Sequence, residues 1–403
     1  SMVAPSKNGR YLTYLSAESG SDWQTLRILD LETKKTLDDK INWIKYTHTA
    51  WQGDGFYYSA YQKPQTDASA LSAINENQQI YYHKLGTTQN EDQLVYEDPD
   101  HPLRYHILFT DHDENHAYLE TSEGTYGSEI YAFDLATHGT HEMHATHELQ
   151  PIFTGFHVDR HYVDSYHGKA IFITDEQSPN RKLLSYDPAT KETQELVPEA
   201  KYSLENARLV GDQLYLFYLE DVTTKIHILD LKCGEEKCLE LPELGTVYAL
   251  DGSTELAGVI FSFGSFIRPL ELYYSALGDS HVKAFKQSQL PIDHSDFITE
   301  RHFVKASDGA LVPLFITYKE GLEKDGDNPT LLYAYGGFSI NMQANYSPLN
   351  TWLIEHGGIY AQANIRGGAE YGEVWHQQGM LHNKQRVFDD FHECAEYLIE
   401  EGY

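Results

Sequence analysis

The chain has 403 residues, 41% of them hydrophobic and 13% aromatic, with a formal net charge of −31. That is enough apolar material for two or three domains with buried cores, and a field of that sign repels phosphate backbones and anionic bilayers, so neither nucleic acid nor membrane is expected as a partner. Cys233, Cys238 and Cys394 do not suggest a disulfide framework, and no second pair or nearby His completes a zinc set, so no metal and no cofactor are expected. No apolar run approaches the ~20 residues that cross a bilayer, and no signal peptide is visible. A cytoplasmic protein is expected, with the periplasm open as the alternative.

The 30 tyrosines favour half-buried strands. Over roughly the first 290 residues a strand anchor recurs: Ile28-Leu29-Asp30-Leu31, Tyr81-Tyr82-His83-Lys84-Leu85, Tyr131-Ala132-Phe133-Asp134-Leu135, Leu184-Ser185-Tyr186-Asp187, Ile228-Leu229-Asp230-Leu231 and Leu272-Tyr273-Tyr274-Ser275-Ala276-Leu277. A second alternating strand precedes most of them, as at Tyr11-Leu12-Thr13-Tyr14-Leu15 and Gln213-Leu214-Tyr215-Leu216-Phe217. Several short strands per ~45–50 residues is the spacing of four-stranded propeller blades, and about six are counted. Residues 65–79 are polar without a strand pattern and read as a surface insertion. His138, His141, His144 and His147 recur every third residue. On a strand they alternate between faces and cannot converge on one ion, so a solvated loop is the reading preferred over a metal site.

The pattern changes near Pro291. Residues 298–305 and 311–319 predict a hairpin around Ser307-Asp308-Gly309. The run Thr330-Leu331-Leu332-Tyr333-Ala334-Tyr335 has the apolar character of a central strand, and Ile359-Tyr360-Ala361-Gln362-Ala363 predicts a second. Residues 349–356 between them predict a helix. Val387, Phe391, Ala395 and Leu398 recur at helical spacing over 384–401, with Gly402 as the stop. Asp389 and Asp390 near that helix's start suit its dipole and are not read as a catalytic pair. Strands alternating with helices mark an α/β domain.

Two glycine-rich stretches follow the two strands. In Tyr335-Gly336-Gly337-Phe338 the glycines permit a tight turn at the carboxyl edge of the sheet, where open α/β sheets bind ligands. A tyrosine hydroxyl there can donate to a developing oxyanion, with the Phe338 ring as an apolar wall. Simple packing of Tyr335 and Phe338 in a loop is the commoner outcome of such a pattern. Asn364-Ile365-Arg366-Gly367-Gly368-Ala369-Glu370-Tyr371-Gly372 lacks dinucleotide-binding spacing and does not open a helix directly. His376, just beyond, reads as a packing or surface residue rather than a ligand.

Residues 333–338, 363–376, Asn383-Lys384-Gln385, Phe388-Asp389-Asp390-Phe391 and 397–403 together resemble the prolyl oligopeptidase family of serine peptidases in order and spacing, and residues 16–23 with Ala50-Trp51 resemble its propeller. The resemblance implies a seven-bladed all-β propeller, about six blades of it over residues 1–290, and an incomplete α/β-hydrolase domain over 291–403. It implies Tyr335 in the oxyanion hole, Phe338 lining the pocket for a proline ring, short proline-containing peptides as partners, and a monomer. Tyr46 is a looser match to a propeller aromatic that approaches bound peptide. No Gly-x-Ser-x-Gly nucleophile elbow occurs in these residues, and the family's Asp, His and proline-stacking Trp are also unmatched. The 403 residues alone are therefore expected to be inactive, and to expose an open sheet edge and an apolar face in the last hundred residues. Gly336-Gly337-Phe338 favours the prolyl enzyme over oligopeptidase B, which prefers basic residues. The α/β segment argues against a propeller that only binds.

Overall fold

The computed structural model describes all residues except 1–2, 19, 64–74, 112–114, 125, 136–148 and 291–294. The four histidines at 138, 141, 144 and 147, the Pro291 transition and most of the 65–79 segment fall outside the described residues.

Six four-stranded sheets come first, each built from consecutive strands. They are β1–β4 (Val3–Pro5, Tyr11–Ala17, Gln24–Asp30, Lys35–Ile44), β5–β8 (Ala50–Gln52, Gly55–Ala60, Gln79–Lys84, Gln93–Tyr96), β9–β12 (Tyr105–Thr110, His116–Ser122, Ser128–Asp134, Gln150–Phe153), β13–β16 (Arg160–Tyr166, Lys169–Thr174, Lys182–Asp187, Glu192–Val197), β17–β20 (Ser203–Val210, Gln213–Glu220, Thr223–Asp230, Glu236–Cys238) and β21–β24 (Thr246–Ser253, Gly258–Gly264, Glu271–Ala276, Lys283–Lys286). Every anchor found in the sequence is the third strand of a sheet. These are the blades of a β-propeller. By internal contact the chain divides into two compact units, residues 1–176 with 183–196, and residues 177–182 with 197–403.

In the first unit, apolar faces of successive blades pack together: Leu26 and Ile28 share a cluster with Phe56 and Tyr58, Tyr57 and Tyr82 with Leu108 and Leu119, and Tyr118 and Ile130 with Phe172. Buried tyrosines need partners for their hydroxyls. Tyr58 donates to Asp92 at 2.6 Å, and Tyr82 to the Gln52 carbonyl at 3.0 Å. Gln78 is buried and its amide donates to the carbonyls of Lys45 and Tyr46, each at 3.0 Å. The end of the segment read as a surface insertion is thus structural, because those two carbonyls, beside the left-handed Tyr46 (φ 50°), need donors.

His83 is fully buried between two carboxylates, with Nδ1 2.6 Å from Asp92 and Nε2 3.2 Å from Asp39. Both partners accept, so both ring nitrogens must carry protons. Burial pulls His83 down, but the hydrogen bonds and charges of Asp92 and Asp39 together hold it above its ordinary value. The stability it contributes is complete below the unfolded value of about 6.5 and is lost as pH rises through the folded one. His83→Gln is expected to cost about 1.5–3 kcal/mol at pH 6 and to abolish that alkaline loss, as read by denaturant melts across pH.

The second unit holds the last two blades and a mixed sheet. Val247, Phe261 and Tyr273 of one blade pack on Tyr215, Ile226 and Ile228 of the other. The mixed sheet is ordered β25-β26-β28-β27, where β25 is Phe297–Lys305, β26 Leu311–Lys319, β27 Thr330–Tyr333 and β28 Ile359–Ala363. The β25–β26 hairpin falls where the sequence predicts it. β27 and β28 pair in parallel, Thr330 opposite Ile359 and Tyr333 opposite Gln362. Helix α1 is Pro348–Glu355, α2 Glu373–Gln377 and α3 Gln385–Glu400.

Two expectations change after the hairpin. Among the described residues β27 ends the sheet order, with Leu331 and Tyr333 exposed along the open edge that the sequence predicts, while β28 is buried throughout. The α3 face that enters the core is Val387, Asp390, Cys394 and Leu398 rather than the face through Phe391, which is exposed. The second glycine-rich stretch does lead directly into a helix, since Gly372 is the N-cap residue of α2. The exposed Leu331, Tyr333, Phe388 and Ile399 are the apolar surface expected in the last hundred residues. Among the described residues no helix is long and apolar enough to cross a membrane, and no group of three or more His, Cys, Asp or Glu could hold a metal ion.

Candidate active site

Parallel pairing brings the carboxyl ends of β27 and β28 to the same edge, so the loops at 334–347 and 364–372 lie side by side. They interlock backbone to backbone. Gly336 (φ 66°) has Val387 Cγ1 2.6 Å and Ile365 Cγ1 2.7 Å from where a Cβ would sit, and at Gly367 (φ 99°) the Gly336 carbonyl oxygen is 2.6 Å from that position. Any side chain at either residue forces the loops apart. Lys384 Nζ donates to the Gly336 carbonyl at 2.6 Å.

Beyond this knot the chain turns outward. Phe338 and Ser339 both take left-handed φ of 55°, a conformation that costs about 1–2 kcal/mol per non-glycine residue and persists only where surroundings enforce it. His376 supplies part of the enforcement. Its Nδ1 donates to the Gly367 carbonyl at 2.7 Å, and the same carbonyl accepts the Ser339 N–H at 3.3 Å. The packing role read for His376 is that of a pin between the two loops.

Tyr335 is 45% exposed and Phe338 85% exposed. The Tyr335 hydroxyl has no hydrogen-bond partner among the described residues. Neither ring is packed into a core among the described residues. Tyr46, in the first unit, is also exposed, its ring 5.8 Å from that of Tyr105.

The fastening continues inward through residues that periodicity did not mark. Arg366 and Asp390 are both buried. Asp390 accepts from the Arg366 backbone N–H at 3.0 Å, from Nε at 2.9 Å and from the guanidinium terminus at 2.5 Å. Asp308 takes the other arm at 2.5 Å, and that hydrogen bond holds the Asp308 carboxyl below its ordinary value. The helix-dipole role expected for Asp390 is therefore replaced by a buried bidentate pair; only Asp389, which accepts from Gln385 at 2.9 Å, stays at the surface of α3.

The blades of the same unit also reach this loop. β17 and β21 each carry a one-residue register shift against their neighbour, between Leu204 and Asn206 and between Val247 and Ala249. A bulge re-aims the extra side chain. The extra residues are Glu205 and Tyr248. Glu205 accepts from Asn341 Nδ2 at 3.2 Å, and the Tyr248 hydroxyl donates to the Ala344 carbonyl at 2.9 Å. Tyr371 donates to Asp221 at 3.2 Å from the other glycine loop.

Comparison with known proteins agrees with this architecture. Residues 1–288 match the prolyl oligopeptidase N-terminal β-propeller domain, and residues 344–403 match the prolyl oligopeptidase family. A prolyl endopeptidase of Elizabethkingia meningoseptica is 33% identical over 405 residues, covering 100% of this chain and 56% of the relative. A prolyl oligopeptidase of Omphalotus olearius is 31% identical, covering 98% of this chain and 55% of the relative. One solved structure, from a study of two prolyl endopeptidases, superposes with a TM-score of 0.87 at 29% identity over 100% of this chain and 59% of that one. Prolyl oligopeptidase B of Galerina marginata, solved with a 35-residue hydrolysis and macrocyclization substrate, has the same fold at a TM-score of 0.89 and 22% identity. The chain belongs to the prolyl oligopeptidase family, and it is a β-propeller with the beginning of an α/β-hydrolase domain. It spans a little over half the length of these relatives.

Proposed function

We propose that the protein carrying this chain is a serine endopeptidase that hydrolyses short peptides on the carboxyl side of proline through an acyl-enzyme. Residues 1–290 form its propeller domain and 291–403 the first part of its catalytic domain, in a monomer that acts in the cytoplasm without metal or cofactor. The observation that carries the reading is the pair of exposed aromatics, Tyr335 and Phe338, on two interlocked glycine loops at the carboxyl edge of the parallel strands. When a nucleophile adds to the carbonyl after proline, the oxygen becomes an alkoxide, and a hydroxyl already fixed in place stabilises it without reorganisation. Tyr335 is that donor. The Phe338 ring supplies an apolar wall for a flat pyrrolidine with no N–H to satisfy.

The nucleophile and its base have no counterpart in these residues, and without them no acyl transfer takes place. The test compares the 403-residue chain with the full-length protein on glycyl-prolyl and arginyl anilides. Prolyl cleavage by the full-length protein alone, blocked by a serine-directed inhibitor, is the expected result. Preference for the arginyl substrate would favour an oligopeptidase B-like enzyme, and peptide binding without cleavage a binding module. Phe338→Ala in the full-length protein is expected to raise KM for the prolyl substrate about ten- to a hundredfold, matching the loss of ~1.5–3 kcal/mol of apolar burial, with kcat changed less.

A further inference from the structure

A buried carboxyl stands behind this site that the proposed reaction does not use. Glu370 is 1% exposed. Its Oε1 accepts from the Met342 N–H at 3.1 Å and from Asn364 Nδ2 at 3.1 Å, and Asn364 Nδ2 also donates to the Met342 carbonyl at 2.7 Å. Gln362 donates to that carbonyl too, at 3.0 Å, and Ala369 N–H to Asn341 Oδ1 at 2.9 Å. These bonds tie the loop that carries Phe338 to the loop that carries Glu370.

Two atoms of this cluster are buried without a hydrogen-bond partner, Glu370 Oε2 and Asn364 Oδ1. If Glu370 is ionised, both are acceptors and neither finds a hydrogen, which costs about 1–3 kcal/mol for each. Glu370 has no ion pair with Lys, Arg or His among the described residues. The charged group that faces it is another carboxylate, Glu205 of β17. Tyr371, the next residue, is turned to Asp221. Burial first, and then Glu205, push Glu370 above its ordinary value against the hydrogen bonds from Asn364, from the Met342 N–H and from its own backbone N–H. A single proton on Oε2 satisfies both orphans. With Asn364 Nδ2–H already donating to Oε1, a proton on Oε2 has the unfilled Asn364 Oδ1 of the same side chain as its acceptor, which would close the ring of a carboxylic acid paired with a carboxamide.

We propose that Glu370 is a positioning residue, a neutral carboxylic acid paired with Asn364 that fixes the 338–342 turn and so the placing of Phe338 and Tyr335. The proposal rests on the peptidase reading only for its effect on catalysis. The pair is complete at low pH and is lost as pH rises through the folded value of Glu370, when the carboxylate returns. Two measurements on the 403-residue chain test the pair itself. Infrared spectroscopy at neutral pH should show a protonated-carboxyl C=O band that disappears in Glu370→Gln. Exchange of the Met342 amide should be about tenfold or more faster in Glu370→Ala and restored in Glu370→Gln, whose amide keeps one donor and one acceptor. In the full-length protein, Glu370→Ala should raise KM for a prolyl peptide about tenfold with kcat changed less, and Glu370→Gln should bring it back and flatten its alkaline rise. Absence of the band, or exchange as fast in Glu370→Gln as in Glu370→Ala, overturns the proposal. If Glu370→Ala does not fold, the band in the native chain against Glu370→Gln decides it. A full-length protein inactive on prolyl substrates would remove the peptidase reading and leave the infrared and exchange results to judge the pair.

Discussion

Asp390→Ala is expected to lower the unfolding free energy of the second unit by about 3–5 kcal/mol, the cost of leaving a buried partner charge uncompensated. Asp390 satisfies three donors of one residue, the Arg366 backbone N–H, Nε and the guanidinium terminus. Its loss frees the second glycine loop at its root as well as stranding a charge. Asp308 remains on Arg366, but that carboxylate is partly in solvent and compensates little. Removing both charges with apolar residues of similar volume, Arg366→Met with Asp390→Leu, is expected to recover part of the loss. Denaturant melts of the two variants give the comparison. Equal loss in both would mean that volume, and not the stranded charge, sets the cost.

Tyr335→Phe in the full-length protein is expected to lower kcat on a prolyl substrate about 10²–10³-fold, or ~2.7–4 kcal/mol, the cost of removing one oxyanion donor. KM should change little, because the hydroxyl meets full negative charge only in the transition state. The ring stays, so the turn keeps its packing, and the unlinked hydroxyl takes no internal hydrogen bond with it when it is removed. A variant that raised KM and kept kcat would assign Tyr335 to substrate binding instead. Together with Phe338→Ala, whose effect is expected mainly in KM, the two substitutions separate the chemical step from recognition across three residues of one loop.

What the sequence made legible follows from which forces are periodic. Blade strands alternate and end at turns, so the anchors from Asp30 to Ser275 were countable and all six sheets lie where they fall. The β25–β26 hairpin, α1 and α3 were visible for the same reason. What escaped was pairing across distance. Asp390 sits one residue before Phe391 on α3, and spacing alone favours the apolar residue for the core; only Arg366, 24 positions back, makes the carboxylate the buried one. Glu205 and Tyr248 reach the loop at 341–345 through bulges, and a single extra residue in a strand leaves no periodic mark. For Tyr335 and Phe338 the glycines announce only a turn at the sheet edge, and the roles proposed for them come from the family resemblance. Glu370 was part of a quoted motif but carried no sign of its burial.

The proposed catalysis turns on the direction in which one phenol points during the reaction. A crystal structure of the full-length protein bound to a peptide aldehyde ending in proline would show it, since the hemiacetal oxygen stands in for the oxyanion. The expected result is the Tyr335 hydroxyl about 2.7–3.1 Å from that oxygen with the Phe338 ring against the pyrrolidine. An oxygen held by other donors, with Tyr335 turned to solvent and the proline seated away from Phe338, would contradict it.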